Sequence, residues 1–347
     1  MSTRPHTTRP PAIRSQLRAT RLLSQADVDA LIDMRAAMRV IEHAFRAQGQ
    51  GQISMPPKVY LTLPDGGDFR AMPAAMSHPP ASGIKWVNVH PNNRAKGLPT
   101  VMALAILNDP STGFPLAVID GVSITRLRTG AAAGVAARAL ARRDSRTAAL
   151  VGCGAQAFTQ LEALAHAFRL RRVAVWGAAS GEAARFARAA GRVARCPIVP
   201  APDIKTCVAD ADLIVTITPS RAPLVMRPWV KPGAHVNAVG ADAPGKQELD
   251  PALLRDATIV VDEREQAIHG GELNVPISRG LFSPDAIHGT LADVLLRRVR
   301  GRTRDDEITV FDSTGIAVHD VALAAAVFRA AIRRRRGRTF QFFNPRA

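Results

Sequence analysis

The chain has 347 residues, of which 47% are hydrophobic and 22% charged, with a formal net charge of +17. This length suits two domains, and the composition is typical of a globular protein rather than a disordered one. No apolar run reaches the ~20 residues of a membrane-spanning helix, and the first residues lack the apolar core of a secretion signal. The positive charge does not by itself indicate nucleic-acid binding, because the arginines are scattered and no recognition motif accompanies them.

The three cysteines, Cys153, Cys196 and Cys207, show no sign of a metal site or a disulfide framework. None forms a C-x-x-C pair or has a histidine at zinc spacing, and the nine histidines make no metal-binding motif. We therefore expect no metal. Unpaired thiols fit a reducing environment, so the expected location is the cytoplasm.

The N-terminal part of the chain predicts a tail, a helix and a sheet. Residues 1–21 are rich in Arg, Thr and Pro without an acid, which favours a disordered basic tail. Ser24 and Asp27 have the spacing of a capping box, and apolar residues at helical spacing continue it over residues 25–48. Short runs separated by turn clusters then predict the strands of an antiparallel sheet, at Lys58–Leu63, Phe69–Met72, Ile84–His90, Val101–Asn108 and Pro115–Ile119.

The remainder alternates strands with helices. The predicted helices are Thr129–Ala141, Gln156–Phe168, Glu182–Gly191 and Val318–Arg335. The predicted strands are Thr147–Val151, Arg172–Trp176, Leu213–Thr218, His235–Val239, Thr258–Asp262 and Ile308–Asp312. Apolar strands that alternate with helices indicate a doubly wound parallel sheet.

The predicted fold class is α/β, with a Rossmann-type doubly wound domain that binds a dinucleotide and a second, α+β domain with an antiparallel sheet. We place the Rossmann domain at residues 135–323. The sheet domain takes residues 22–134 and 324–347, with the closing helix packed back on it.

The dinucleotide prediction depends on a glycine turn between a predicted strand and a predicted helix. Gly152 permits the tight turn, and Gly154 lets the backbone approach a pyrophosphate. The helix that opens at Gln156 offers its free N–H groups to the phosphates. The next strand should end in an acid for the adenine ribose, but Gly177 stands there without a nearby arginine, so both NAD and NADP remain open.

Four cations suggest an anionic substrate. Lys58, Arg70 and Lys85 each lie on or beside a separate predicted strand, and Arg128 follows in the segment Leu127–Gly130. Alternation turns Lys85 to the same face as Val87, where a buried ammonium is costly unless it meets an anion. A carboxylate substrate would supply that anion, and arginine can bind it in a bidentate manner.

An acid follows the predicted strand His235–Val239. Asp242 stands between Gly240 and Gly245, at the edge of the sheet where doubly wound folds bind their ligands. It is therefore a candidate general acid–base, and a turn-stabilising aspartate is the alternative.

The sequence resembles the ornithine cyclodeaminase/mu-crystallin family, most of all its alanine dehydrogenase branch, from about Leu22 to Phe343. The resemblance is carried by the runs Met55–Tyr60, Arg70–Pro73, Gly97–Met102, Leu127–Gly130, Gly152–Gln156, Gly240–Leu249, His269–Glu272 and Phe311–Gly315. It implies a homodimer that forms through the sheet domain, which also holds the substrate.

The resemblance also implies roles for individual residues. The catalytic residues would be Lys85, which contacts the substrate carboxylate or carbonyl, and Asp242, which transfers protons. The substrate site would comprise Lys58, Arg70, Lys85 and Arg128. With the glycine turn, the predicted cofactor site comprises Thr100, Gly152, Gly154, Ala155, Gln156, Gly177, Thr218, Val239, Gly240, Lys246 and Ser313.

Arg70 distinguishes the possible reactions. Ornithine cyclodeaminases have a glutamate there that holds the distal amine of the substrate, so Arg70 disfavours ornithine and suits a short carboxylate. The expected function is reversible oxidative deamination of a small amino acid with NAD or NADP. The alternatives are a cyclic imino acid reductase, an ornithine cyclodeaminase and a non-catalytic NADPH-binding protein.

Overall fold

The computed structural model describes residues 19–64 and 66–343. The chain divides into two compact units. The sheet unit comprises the chain up to Ile32, Ser54–Ile124 and Asp320 onward, and the nucleotide unit comprises Asp33–Ile53 and Thr125–His319. Most of the predicted tail, residues 1–18, lies outside the described residues; Thr20 and Arg21, which the prediction assigned to the tail, begin the first strand.

The helices and strands are numbered along the chain. The helices are α1 (Gln25–Leu31), α2 (Met34–Gly49), α3 (Gly121–Leu140), α4 (Ala155–Ala167), α5 (Glu182–Ala194), α6 (Ile204–Val208), α7 (Pro251–Asp256), α8 (Arg264–Gly270), α9 (Asn274–Ser278), α10 (Leu291–Leu295) and α11 (Ala317–Arg334). The strands are β1 (Thr20–Leu23), β2 (Ile53–Ser54), β3 (Val59–Thr62), β4 (Asp68–Met76), β5 (Ala81–Val89), β6 (Val101–Asn108), β7 (Pro115–Asp120), β8 (Thr147–Val151), β9 (Arg172–Trp176), β10 (Ile198–Pro200), β11 (Leu213–Thr216), β12 (Arg221–Val225), β13 (His235–Ala238), β14 (Gln247–Leu249), β15 (Thr258–Val261), β16 (Gly289–Thr290), β17 (Thr309–Asp312) and β18 (Arg338–Phe340). Among the described residues, no helix is long and apolar enough to cross a membrane.

The sheet unit is built on the order β18-β1-β7-β6-β5-β4-β2, with β3 paired to β4. The strands from β3 to β7 pair antiparallel, as predicted. Side chains alternate across β5, so that Lys85 and Val87 are buried while Trp86 between them is exposed. The predicted inward orientation of Lys85 is thus confirmed.

Lys85 is buried against an acid of the closing helix. Its Nζ lies 3.0 Å from Asp320 Oδ1 and 2.9 Å from Oδ2, and both side chains are 1% exposed. Because each charge is removed from water, the carboxylate offsets the desolvation of the ammonium. The antiparallel sheet and α11 therefore share a buried ion pair.

The predicted single helix over residues 25–48 is wrong. It is two helices, α1 and α2, because the backbone is extended at Ile32 and Asp33 and the Asp33 carboxylate caps α2 by accepting a hydrogen bond from Ala36 N at 2.7 Å. The capping box of Ser24 and Asp27 at the start of α1 is confirmed.

The predicted domain boundaries also need correction. Helix α2 belongs to the nucleotide unit rather than to the sheet unit, as its contacts with α4 and α10 require. The predicted boundaries at 134/135 and 323/324 fall inside α3 and α11, whereas the units divide at Ile124/Thr125 and His319/Asp320. The units divide inside α3 and inside α11, where the helical periodicity of the sequence is continuous. The sequence pattern therefore contains no signal for either boundary.

The nucleotide unit contains a parallel sheet in the order β10-β9-β8-β11-β13-β17-β15-β16. Successive residues of β8 point to opposite faces: Ala148 and Leu150 join one apolar cluster with α3, α4 and α5, and Ala149 and Val151 join another with α6, α7 and α8. The doubly wound prediction is confirmed. The order reverses between β8 and β11, which marks the edge where such folds bind ligands.

We expect the buried Lys85–Asp320 pair to be costly to break by removal of one partner. Asp320→Asn should lower the free energy of unfolding by about 3 kcal/mol, because it removes the carboxylate that neutralises the buried ammonium. The double variant Lys85→Met/Asp320→Leu should lie within about 1 kcal/mol of the wild type, since apolar side chains can replace such a pair. Urea unfolding measures the free energy of unfolding of both variants. A double variant that is less stable than Asp320→Asn would contradict a direct ion pair between the two side chains.

Candidate active site

The turn between β8 and α4 is shaped for close approach of a ligand. Gly152 has φ +114°, and a Cβ there would lie 2.7 Å from the Ile217 carbonyl oxygen. Gly154 precedes α4 without a side-chain cap, and a Cβ at this position would meet nothing within 4 Å. The backbone therefore offers open space and uncapped N–H groups, which fit the pyrophosphate of a dinucleotide.

A cavity of about 250 Å³ lies at the carboxyl edge of the parallel sheet. Its walls come from α3, from the start of α4 and from the loops that follow β11, β13 and β17. Eight residues predicted for the site line it together: Arg128, Gln156, Thr218, Val239, Gly240, Asp242, Lys246 and Ser313. These eight predicted residues therefore lie around one cavity of the nucleotide unit.

The other predicted residues lie elsewhere. Gly152, Gly154 and Ala155 form the glycine turn and the first residue of α4. Gly177 lines a separate cavity, and the residues in the sheet unit are Lys58, Arg70, Lys85 and Thr100. The structure therefore distributes the predicted substrate cations between both units.

Asp242 and Lys246 form an ion pair in the wall of the cavity. Lys246 Nζ donates to Asp242 Oδ1 at 2.5 Å, and the two side chains are 35% and 21% exposed for the acid and the lysine. A turn with Gly245 at φ +79° brings the two residues together. The partly exposed carboxylate has a charged proton donor beside it, which is an arrangement suited to proton transfer.

Arg128 is buried in the same wall. Its guanidinium lies against the backbone of Gly315, where φ is +75° and a Cβ would collide with the guanidinium nitrogens. The absence of a side chain at Gly315 therefore makes room for the Arg128 cation beside the cavity.

In the sheet unit, Arg70 is held by Asp68 and Tyr60. Its Nε donates to Asp68 Oδ1 at 2.8 Å and its Nη2 to Oδ2 at 3.2 Å, while the guanidinium carbon lies 5.3 Å from the centre of the Tyr60 ring. Arg70 is buried on the same face of the sheet as Lys85, because Arg70 pairs with Val87 and Met72 pairs with Lys85.

Glu248 supports the loops of the cavity wall, and the sequence analysis missed it. This buried carboxylate accepts hydrogen bonds from Thr218 N and Thr218 Oγ1, both at 2.7 Å, and from Gly240 N at 2.9 Å. One side chain therefore joins the loops after β11 and β13. The run Gly240–Leu249 carries part of the family resemblance. It contains no signal that the Glu248 carboxylate accepts hydrogen bonds from Thr218 and Gly240.

Further buried acids repeat this arrangement. Glu272 accepts from Glu248 N at 2.9 Å and Leu249 N at 2.6 Å, and Asp312 accepts from Glu272 N at 3.0 Å. Burial raises the pKa of Glu248, and burial together with the charge of Glu248 raises the pKa of Glu272 well above its ordinary value. The described residues contain no group of His, Cys, Asp and Glu arranged to hold a metal ion.

Comparison with known proteins identifies the family. Residues 18–334 match the model of the ornithine cyclodeaminase/mu-crystallin family. The chain belongs to this family. The resemblance inferred from the sequence motifs is confirmed.

Individual members of the ornithine cyclodeaminase/mu-crystallin family are similar over nearly their whole length. An alanine dehydrogenase of Archaeoglobus fulgidus is 48% identical over 93% of this chain and 99% of its own. A structure of an archaeal alanine dehydrogenase dimer with bound NAD has a TM-score of 0.90 at 47% identity and covers 94% of this chain and 100% of its own.

A third similar protein is a reductase. The structure of Thermococcus litoralis Δ(1)-pyrroline-2-carboxylate reductase with NADH and L-proline has a TM-score of 0.90 at 32% identity, over 92% of this chain and 99% of its own. These relatives confirm the predicted fold class, the prediction of an oxidoreductase and the use of NAD or NADP.

The raised pKa of Glu272 predicts a pH effect on stability. The neutral acid is favoured in the folded state, so its contribution is fully present below its ordinary pKa of 4.5 and is lost as the pH rises through the raised value. The Glu272→Gln side chain stays uncharged. When the pH rises from about 6 to about 8, the free energy of unfolding of this variant should therefore fall by less than that of the wild type.

Urea midpoints at both pH values measure this difference. The matched control is Glu265→Gln, on the exposed side of α8 in the same unit, which should follow the wild type. Equal pH slopes in the wild type and in Glu272→Gln would contradict a neutral Glu272.

Proposed function

We propose that the chain is an alanine dehydrogenase, which interconverts L-alanine with pyruvate and ammonia. The observation that carries the proposal is the cavity at the sheet edge, where Arg128 and the Asp242–Lys246 pair meet the residues predicted to contact the cofactor. Near full-length similarity to an alanine dehydrogenase supports this choice of substrate. When bound, NADH or NADPH supplies the hydride.

In the reductive direction, pyruvate and ammonia combine before the reduction. Ammonia forms a C–N bond at the carbonyl carbon of pyruvate, and the oxygen leaves as water after protonation. The bound reduced cofactor would supply a hydride to the carbon of the protonated imine and would be left as NAD+ or NADP+. Asp242 gives and accepts the protons of the ammonia and water steps, with Lys246 as its hydrogen-bonded partner.

The substrate carboxylate needs cations that are held in place. Arg128 supplies one in the cavity wall, and the family resemblance assigns the same role to Arg70 and Lys85 of the sheet unit. By the same family resemblance, we propose that Lys58 also contacts the carboxylate. Arg70 favours a short substrate, since a second ammonium at the substrate's end would be repelled by the guanidinium.

Reduction of a cyclic imino acid is the second candidate. It is favoured by the similarity to the Thermococcus litoralis reductase, and it needs the same cations and the same acid. It differs in one reactant, because the cyclic imine already contains its C–N bond and consumes no ammonia.

We also propose a cytoplasmic homodimer that associates through the sheet unit. The face of the sheet opposite Lys85 exposes apolar side chains, namely Val59, Leu61, Trp86, Leu104 and Ile106. Exposed apolar area of this kind marks an interaction surface. The archaeal alanine dehydrogenase is itself described as a dimer.

The predicted activity is loss of NADH or NADPH absorbance with pyruvate and ammonia present. Omitting ammonia should abolish it with pyruvate. Asp242→Asn should reduce kcat by about a hundredfold or more, because a proton carrier is lost, and should leave the affinity for NADH unchanged.

The matched control is Asp144→Asn, an exposed acid in the nucleotide unit that should retain activity. Turnover with pyrroline-2-carboxylate but not with pyruvate and ammonia would replace the first candidate by the second. Cofactor binding without turnover of either substrate would identify a binding protein.

A further inference from the structure

The end of β9 departs from the usual dinucleotide site. Gly177 stands where an acid would contact the adenine ribose, and the side chain at 178 is only alanine. A cavity of about 460 Å³ nevertheless lies at this strand end. It is lined by the loop Trp176–Gly181, by Ala183 and Ala184 in the first turn of α5 and by Pro200–Pro202. Glu182 does not line this cavity and lies beside it, against Gly177.

The carboxylate of Glu182 occupies the space beside Gly177. A Cβ at Gly177 would lie 2.8 Å from Glu182 Oε2, so this carboxylate stands where an acidic side chain at the strand end would begin. Glu182 is the first residue of α5, and its Oε2 accepts a hydrogen bond from Ala179 N at 3.4 Å. Its side chain thus turns back from the helix toward the strand end.

The absence of a side chain at Gly177 leaves room for the Glu182 carboxylate. The Cys153 sulfur also crowds the position of a Cβ at Gly177, so an aspartate could not stand at 177 beside Glu182 without displacing one of them. An acid therefore stands at the start of the following helix, beside a strand end that carries no side chain.

The charge of Glu182 acts on the glycine turn. The pKa of the Cys153 thiol is raised to about 11, first by burial and then by the negative charge and hydrogen bond of Glu182. Cys153 lies between Gly152 and Gly154, so the carboxylate stands between the glycine turn and the end of β9. These are the two places that a bound dinucleotide spans from pyrophosphate to adenine ribose.

Arg185 is the opposing charge nearby, so the expectation that no arginine lies near the end of β9 was wrong. Its Nη1 donates to the Ser180 carbonyl oxygen at 3.4 Å, and its side chain is exposed at the outer edge of the loop. An exposed guanidinium is screened by solvent, whereas the half-buried Glu182 lies at the strand end itself. Of the two charged groups, the carboxylate of Glu182 lies closer to Gly177.

We propose that Glu182 recognises the adenine ribose and makes the enzyme select NAD(H) over NADP(H). The carboxylate accepts hydrogen bonds from the ribose hydroxyls, and it repels a 2′-phosphate, which carries between one and two negative charges at neutral pH. The proposal rests on dinucleotide binding, and it does not depend on which amino acid is the substrate.

The test is a pair of equilibrium titrations of the purified protein with NADH and with NADPH, followed by nicotinamide fluorescence. The wild type should bind NADH at least about tenfold more tightly than NADPH. Glu182→Gln removes the charge and keeps the shape, and it should narrow the ratio of the two Kd values by about tenfold, chiefly by strengthening NADPH binding. The control Glu265→Gln should leave the ratio unchanged.

Equal or tighter binding of NADPH by the wild type would overturn the proposal, as would a Glu182→Gln variant that keeps the wild-type ratio. Both outcomes leave the proposed reaction intact, because turnover is measured separately. Failure of the wild type to bind either cofactor would overturn the dinucleotide site as well.

Discussion

The carboxyl edge of the parallel sheet depends on buried carboxylates that accept backbone N–H groups. Strands that end there leave loops whose amides need partners, and a buried amide without one destabilises the fold. Glu248 satisfies Thr218 and Gly240, and Glu272 satisfies the backbone of Glu248. The cavity has its shape because these carboxylates hold the loops around it together.

This arrangement has an electrostatic consequence. Burial raises the pKa of Glu248, and burial together with the charge of Glu248 raises the pKa of Glu272, whereas the cavity wall contains a partly exposed, ion-paired acid, Asp242. The two kinds of acid have different tasks. The buried ones hold loops in place, and Asp242 is accessible to exchange protons with a ligand.

Sequence reasoning succeeded where the signal is local. The turn between β8 and α4 and the inward direction of Lys85 were predicted correctly, because glycine spacing and strand alternation are set within a few residues. It failed where partners are distant or the local signal is weak. Glu248 contacts Thr218, 30 residues away, and Asp33 interrupts a run that otherwise has helical periodicity. Gly177 was noticed as a missing acid, but only the structure shows Glu182 beside it.

The central claim is that hydride is delivered to the α-carbon of a small amino acid. The most direct test supplies pyruvate, ammonia and NADH that carries deuterium at one or the other of its two C4 positions, and analyses the alanine by mass spectrometry and NMR. We expect one of the two labelled cofactors to give alanine with a single deuterium on the α-carbon. Alanine without deuterium from both cofactors, or no alanine at all, would contradict the claim.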